Sequence, residues 1–290
     1  MRLGLHLSTA GGPAWAVAEA RKLGLDCLQI FAGSPRMWRR TPVSPAQAAA
    51  FRLGVEAAGL EPVVVHAPYL INLASPDGEL WQKSVDSLAY QLTQARELGA
   101  DAVVVHPGST RGRPAAWGVA RAAAGVDLAL DLAGVPAGAE ALPQIWLENT
   151  AGGKNHLGGG LFQMHLLLAA LAGRPVGVVL DTAHAWGAGY RLDGPRAVGR
   201  FLDRVDRLLG PGSVKLWHCN DTSSPRGSHR DVHQHLGRGL IGDPGFQALA
   251  AEPRLAGAAL VMETPKDSRW ADRRNLAYLR RLLRLAAAGR

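Results

Sequence analysis

At 290 residues, with 47% hydrophobic and 19% charged side chains, the chain can build a sizeable core, which excludes a disordered polymer and leaves one large α/β domain or two small ones. The formal net charge of +8 favours a polyanionic partner such as nucleic acid, although charge alone leaves membrane surfaces open. Two cysteines, Cys27 and Cys219, both inside apolar strand-like runs, argue against a disulfide framework and for buried thiols in a reducing compartment.

From Met1 and Arg2 the sequence enters the strand-like LGLHLS without a charged n-region, an apolar h-region or a small-residue cleavage site, and no apolar run approaches the ~18 residues of a membrane span. A soluble, cytoplasmic protein is expected. Short β-branched or Leu-rich runs then alternate with longer Ala/Leu/Arg segments of helical period. In chain order, strands are expected near 2–7, 26–31, 62–66, 102–106, 144–148, 176–181, 213–218 and 258–263. The helical segments between and after them fall near 13–22, 45–58, 78–98, 114–134, 161–172, 195–209, 244–251 and 270–287. Such βα units suit either a (β/α)8 TIM barrel or an open doubly wound sheet.

The placement of metal-capable side chains decides between them. The runs VVVHAPY, AVVVHPGS, QIWLENT, VGVVLDTAH, SVKLWHCND and AALVMETP set His66, His106, Glu148, Asp181 with His184, His218 and Glu263 at or just past strand C-termini, where barrel enzymes place their chemistry. Groups from strands three through eight can meet only if the strand ends form a ring. No linker or break in composition suggests a second domain, so residues 1–290 are expected to form one barrel. Asp231 and His233 add an Asp-x-His pair in the long irregular stretch 219–242, which is expected to be an ordered, metal-tied loop. The Gly-rich stretch 152–160 is a second rim loop. It lacks P-loop spacing and so suggests no nucleotide site.

Imidazole and carboxylate donors suit a borderline cation such as zinc, and nine of them exceed what one ion uses. A natural division puts His66, His106 and Glu148 around one ion. Asp181, His218 and Glu263 would surround a second, with Glu148 able to bridge, and His184, Asp231 and His233 a third. Zinc fits the imidazole ligands and the Irving–Williams order, while the carboxylate share would accept manganese at one position. Closely spaced ions are what phosphodiester hydrolysis uses. Taken singly, any of these histidines reads better as a hydrogen-bonded structural residue, and a lone strand-end acid as a helix cap. The joint pattern reverses that.

At these residues the sequence resembles the endonuclease IV family of apurinic/apyrimidinic endonucleases over nearly its whole length. The matching stretches are HLSTAGG (6–12), FAGSPRMW (31–38), HAPYLINLASPD (66–77), HPGS (106–109), LENTAG (147–152), LDTAHAWGAGY (180–190), HCNDT (218–222), DVHQHLGRGLIG (231–242) and METP (262–265). The resemblance implies a (β/α)8 barrel holding three zinc ions on those nine residues, with Glu148 as the bridging catalytic carboxylate. It implies hydrolysis of double-stranded DNA 5′ to an abasic site to leave a 3′-hydroxyl, and removal of 3′ blocking groups, in base excision repair. Arg36 and Tyr69 match the side chains that enter the base stack at the lesion, filling the gap an extruded nucleotide leaves. Val232 stands where the family commonly has arginine, with Arg230 nearby as a substitute, and His229, Gln234 and the 152–160 loop also depart from the pattern. The protein is expected to act as a monomer.

Among the remaining residues, His6 is open between a core histidine and a supporting partner of the metal site. His156, His165, His229 and His235 are taken as surface or supporting residues. Arg39, Arg40, Arg111, Arg113, Arg226 and Lys266 follow strands two, four, seven and eight and could bind phosphates from the same rim, although each alone reads as solvated loop charge. Of the aromatics, Tyr69 and Trp38 are the stacking candidates. Two rival functions remain: a divalent-metal sugar isomerase or epimerase, which needs only one or two ions, and a non-catalytic DNA-binding protein with structural zinc, whose sites are usually closed and cysteine-rich. The surplus trio His184, Asp231 and His233 favours the nuclease over both.

Overall fold

Along a strand, alternate residues face opposite sides, and in this chain the two sides have different company. The structure is a computed structural model that describes residues 1–138 and 140–288. It consists of eight strands, β1 (Arg2–Leu7), β2 (Cys27–Ile30), β3 (Val63–His66), β4 (Ala102–Val105), β5 (Gln144–Glu148), β6 (Val176–Asp181), β7 (Val214–His218) and β8 (Ala259–Met262). They pair in parallel in sequence order, and β1 also pairs with β8, Leu3 opposite Leu260, so the sheet closes into a barrel. Closure removes the edges that an open sheet would expose.

Helices α1 (Pro13–Leu23), α2 (Pro45–Ala58), α3 (Gly78–Leu98), α4 (Ala115–Leu132), α5 (Leu161–Ala170), α7 (Pro195–Leu209), α8 (Gly242–Ala251) and α9 (Ala271–Ala288) follow successive strands. Local signals explain their limits. Ser44 and Gln47 form a reciprocal capping box at the start of α2, and Asp77 accepts from the Leu80 amide to start α3. Gly24 and Gly59, left-handed at φ 61° and 62°, end α1 and α2. In α7, Ala197, Val198, Phe201, Leu202, Val205 and Leu209 are buried while its arginines face outward, the amphipathic pattern of a covering helix.

One side of each strand contributes Leu5, Leu28, Val65, Val103, Leu147, Leu180, Trp217 and Met262 to the large core shared with the helices. The other side forms a second, separate cluster: Cys27, Val64, Ala102, Val104, Trp146, Val179, Leu216, Ala259 and Val261. This second set fills the barrel interior, as packed side-chain layers do in such folds. Gly4 belongs to the same file, and a Cβ there would lie 2.5 Å from the Cys27 carbonyl oxygen, so β1 has no room for a side chain at that level.

The strands and main helices match the sequence expectations to within about two residues at each end, the usual imprecision of helix and strand limits. Two short elements were not anticipated. Helix α6 (Thr182–Gly187) follows β6 directly, and a 3-10 turn spans Pro253–Leu255. Among the described residues no helix is long and apolar enough to cross a membrane. Cys27 and Cys219 are both free and buried, and burial raises both thiol pKa values.

Candidate metal centre

The interior file carries the site. Two residues beyond Gly4, Cys27, Val64, Val104, Trp146, Val179, Leu216 and Val261, the same inward side of each strand presents His6, Gln29, His66, His106, Glu148, Asp181, His218 and Glu263. A period of two therefore turns eight separate stretches of sequence into one ring of polar side chains. Within it, one set of facing donor atoms comes from His66, His106 and Glu148, and a second from Glu148, Asp181, His218 and Glu263. A third set comes from Asp181, His184 and His233, and within each set the atoms lie within 4.8 Å of one another.

Glu148 is at the centre, with no solvent exposure. Its Oε2 lies 3.1 Å from His66 Nε2 and 3.0 Å from His106 Nε2, and its Oε1 lies 2.9 Å from His218 Nδ1. Asp231 is half exposed and approaches from the loop side, 3.1 Å from His184 Nε2 and 3.4 Å from His233 Nε2. The third set differs from the expected grouping: Asp181, not Asp231, stands with His184 and His233, and Asp181 also faces the second set; as N-cap of α6 its Oδ1 accepts from the His184 amide at 2.8 Å. That short helix carries His184 back over the strand ends.

Backbone carbonyls fix several of the rings. His66 Nδ1 is 2.7 Å from the Ala67 oxygen, His184 Nδ1 is 2.8 Å from the Asn149 oxygen, and His233 Nδ1 is 3.1 Å from the Glu263 oxygen. Each ring thus donates its Nδ1–H outward and turns Nε2 inward, the nitrogen a metal would take once its proton is released. The Nε2 atoms of His184 and His233 are buried and have no hydrogen-bond partner despite the nearby carboxylates. Asn220 orients the acids: its Nδ2 donates to Asp181 Oδ2 at 2.6 Å, and its Oδ1 accepts from the Glu263 amide at 2.7 Å.

Burial alone would push Glu148 up, but the His218 and His106 rings outweigh it and hold the carboxyl well below its usual range. Burial likewise opposes Glu263, which His218 and His6 hold well below that range. Conversely, burial would lower His218, yet the Glu263 and Glu148 charges raise it to about 9. His184 is raised against burial by Asp181 and Asp231, and Asp231 is held to about 2 by His184. Buried carboxylates on this scale demand cationic charge, which protons supply here and a divalent cation would supply with proton release.

On the rim, Tyr69 is more than half exposed, and its ring lies 5.5 Å from His66 and 6.3 Å from His106. Its amide donates to the Pro35 oxygen at 3.2 Å, which joins its loop to the one carrying exposed Arg36. Burial and the neighbouring carboxylates raise the phenol pKa, so Tyr69 stays neutral. Trp38 is partly buried against the core beneath Lys83. Several basic rim residues have protein partners: Arg40 with the Asp86 oxygen and the Tyr90 ring, Arg113 with Trp117, Arg226 with the Gly189 oxygen, and Lys266 with Asp272.

The 219–242 loop is ordered for a reason its sequence does not reveal. Asp221, fully buried, accepts from the amides of Thr222, Gly239 and Ile241 at 2.8, 2.9 and 3.1 Å, and its carbonyl accepts from Gln234 N at 2.7 Å. A carboxylate, rather than a metal alone, gathers the loop and so presents Asp231 and His233. His229 holds the loop to Ala151, just after β5, through the Ala151 oxygen at 3.0 Å, and His235 pairs with Asp267 at 3.0 Å, both supporting roles. Gln29 was also missed, and only its place in the inward file could have revealed it. His6 proves to be a supporting partner, 2.9 Å from Gln29 and 3.5 Å from Glu263.

Comparisons with known proteins agree with this geometry. Residues 17–285 match the family described as xylose isomerase-like TIM barrel. Over 282 residues, 96% of this chain and 97% of the relative, the sequence is 45% identical to endonuclease 4 of Thermus thermophilus. It is 41% identical over 281 residues to a protein named probable endonuclease 4 in Nitratidesulfovibrio vulgaris, covering 96% of this chain and 98% of the relative. The crystal structure of endonuclease IV from another strain of Thermus thermophilus superposes with a TM-score of 0.87 at 42% identity, covering 98% of this chain and all of that one.

Proposed function

The chain belongs to the endonuclease IV family, and from that premise we propose that it is a zinc-dependent apurinic/apyrimidinic endonuclease of base excision repair. It hydrolyses the DNA phosphodiester 5′ to an abasic site, leaves a 3′-hydroxyl, and removes 3′ blocking groups. The observation that carries this reading is the unpartnered, buried Nε2 pair of His184 and His233 beside Asp181 and Asp231. Buried ring nitrogens and carboxylates set around a gap fit a cation between them, a packed core does not need them, and as a third set they exceed the one or two ions a sugar isomerase uses.

Three zinc ions would be held by His66, His106, Glu148, Asp181, His184, His218, Asp231, His233 and Glu263, with manganese acceptable at one position. Ions in such a group lower the pKa of water, neutralise phosphate charge and stabilise a leaving oxygen. Glu148, whose two oxygens face different histidines, is the catalytic carboxylate that joins two of the sets. Tyr69, neutral and beside the cluster, and Arg36 on the adjoining loop enter the base stack where the abasic sugar is extruded. Arg39 and Arg111 are exposed and free to meet phosphates, whereas Arg40, Arg113, Arg226 and Lys266 shape the loops through their own contacts. The enzyme acts on double-stranded DNA as a monomer.

The test is incision of a duplex with one tetrahydrofuran abasic analogue, which cannot undergo β-elimination. Cleavage that yields an extendable 3′-hydroxyl, stops with chelator and returns with zinc supports the proposal. A fully metal-loaded protein that leaves the duplex intact overturns it and directs attention to sugar substrates.

A further inference from the structure

Most of the cluster's histidines are oriented by backbone carbonyls, but His218 is not. Its Nε2 faces the side-chain Oε1 of Gln29 at 2.8 Å. The same amide's Nε2 donates to Glu263 Oε1 at 2.5 Å and lies 2.9 Å from His6 Nδ1. Gln29 is fully buried on β2, a strand that supplies none of the nine candidate ligands. Both its donors and its acceptor are engaged. The amide orientation is determined by its neighbours, because a flip would set its oxygen against the Glu263 carboxylate and an N–H against the His218 N–H.

We propose that Gln29 is a positioning residue for one particular ion, the one shared by Glu148, Asp181, His218 and Glu263: it selects which nitrogen of His218 and which oxygen of Glu263 face the metal. By accepting the Nε2 proton it leaves His218 Nδ1, 2.9 Å from Glu148 Oε1, as the nitrogen that faces the metal once its own proton is released. By holding Glu263 Oε1 it leaves Oε2, 3.4 Å from His218 Nδ1, as that acid's free oxygen. The rings of His66, His184 and His233 do not take their orientation from it, since the Ala67, Asn149 and Glu263 carbonyls orient them. A neutral amide suits this task because it provides a donor and an acceptor without adding charge to an already acidic cluster.

This inference rests on the metal reading above, and the test separates the two. Gln29→Met, similar in length but without hydrogen-bonding groups, is compared with wild type in the full chain. The readouts are zinc bound per chain during chelator titration and the ring ¹⁵N signals of His218. The expected result is selective: one zinc equivalent leaves at about 10–100-fold lower chelator concentration, the others leave as in wild type, and the His218 signals lose their single Nε2–H pattern. Gln29→Glu keeps the acceptor but turns an oxygen towards Glu263, so it should retain the His218 pattern while still weakening one ion. It also serves if the methionine variant fails to fold. Wild-type chelator profiles and ring signals in the variants, or equal weakening of every ion, overturn the assignment. A wild-type protein that takes up no zinc defeats the metal reading instead.

Discussion

Two layers of the barrel interior, separated by two residues on every strand, share one backbone geometry and differ in chemistry. The lower layer, with Val64, Val104, Trp146, Val179, Leu216 and Val261, is apolar and stabilises by burial. The upper layer, with His66, His106, Glu148, Asp181, His218 and Glu263, buries ionisable groups, which costs stability unless each is paired. The barrel tolerates the second because the first closes it. Stability and chemistry are therefore assigned to different levels of the same inward file, and changes at each level should have separable effects.

The largest effect expected is at the centre of the upper layer. Glu148→Gln should reduce incision of a tetrahydrofuran duplex by about 10²–10³-fold, the scale of removing a group needed in the transition state, and lower the bound metal; in the chelated protein it also lowers the thermal unfolding midpoint, because His66, His106 and His218 lose a buried partner. In the lower layer, Leu216→Ala should cost about 2–5 kcal/mol of stability by leaving a cavity, with metal content per chain unchanged at temperatures where it stays folded. Denaturant unfolding and metal analysis of the two variants side by side check the separation. If Leu216→Ala strips the metals from a folded chain, the layers are not independent.

At the rim, Tyr69→Ala should leave metal content intact and weaken binding to abasic duplex by about 1–3 kcal/mol, as expected for a lost stacking partner. Binding to undamaged duplex should change less, and filter binding or anisotropy with both duplexes measures this.

The smallest and most diagnostic effect concerns pH. In the metal-free protein His218 titrates near 9, above its ordinary 6.5. Its contribution to stability is complete below pH 6.5 and is lost as pH rises through 9. Metal binding needs the neutral ring and gains over the same interval. The denaturation midpoint of the chelated protein should therefore fall between pH 6.5 and 9, while the gain on adding zinc widens. A flat curve for the chelated protein would show that His218 does not hold a proton against Glu263 and Glu148.

The limits of strands and helices were legible because apolar periodicity and punctuation by Gly24, Gly59, Ser44 and Asp77 are local signals. The candidate ligands were legible because strand ends carry chemistry in a barrel, so His66 or Glu148 could be read from its own run. Helix α6 was hidden in LDTAHAWG, where its six residues, TAHAWG, give too short a window for periodicity. Nothing in the sequence singled out Asp221, since its amide partners Gly239 and Ile241 lie far along the chain.

By itself, then, the sequence determined the alternation of strands and helices and the candidate donors, which follow from residue type and short-range spacing, and the family, which its ordered motifs resemble. Only the tertiary structure decided which donors face one another, that Asp181 faces two of the sets, that the Asp221 carboxylate gathers the long loop, and that Gln29 faces His218. Those facts depend on barrel closure, which brings β2 against β1 and β3 and sets its inward side opposite β7 and β8. A contact across 189 residues leaves no trace in the spacing of either partner.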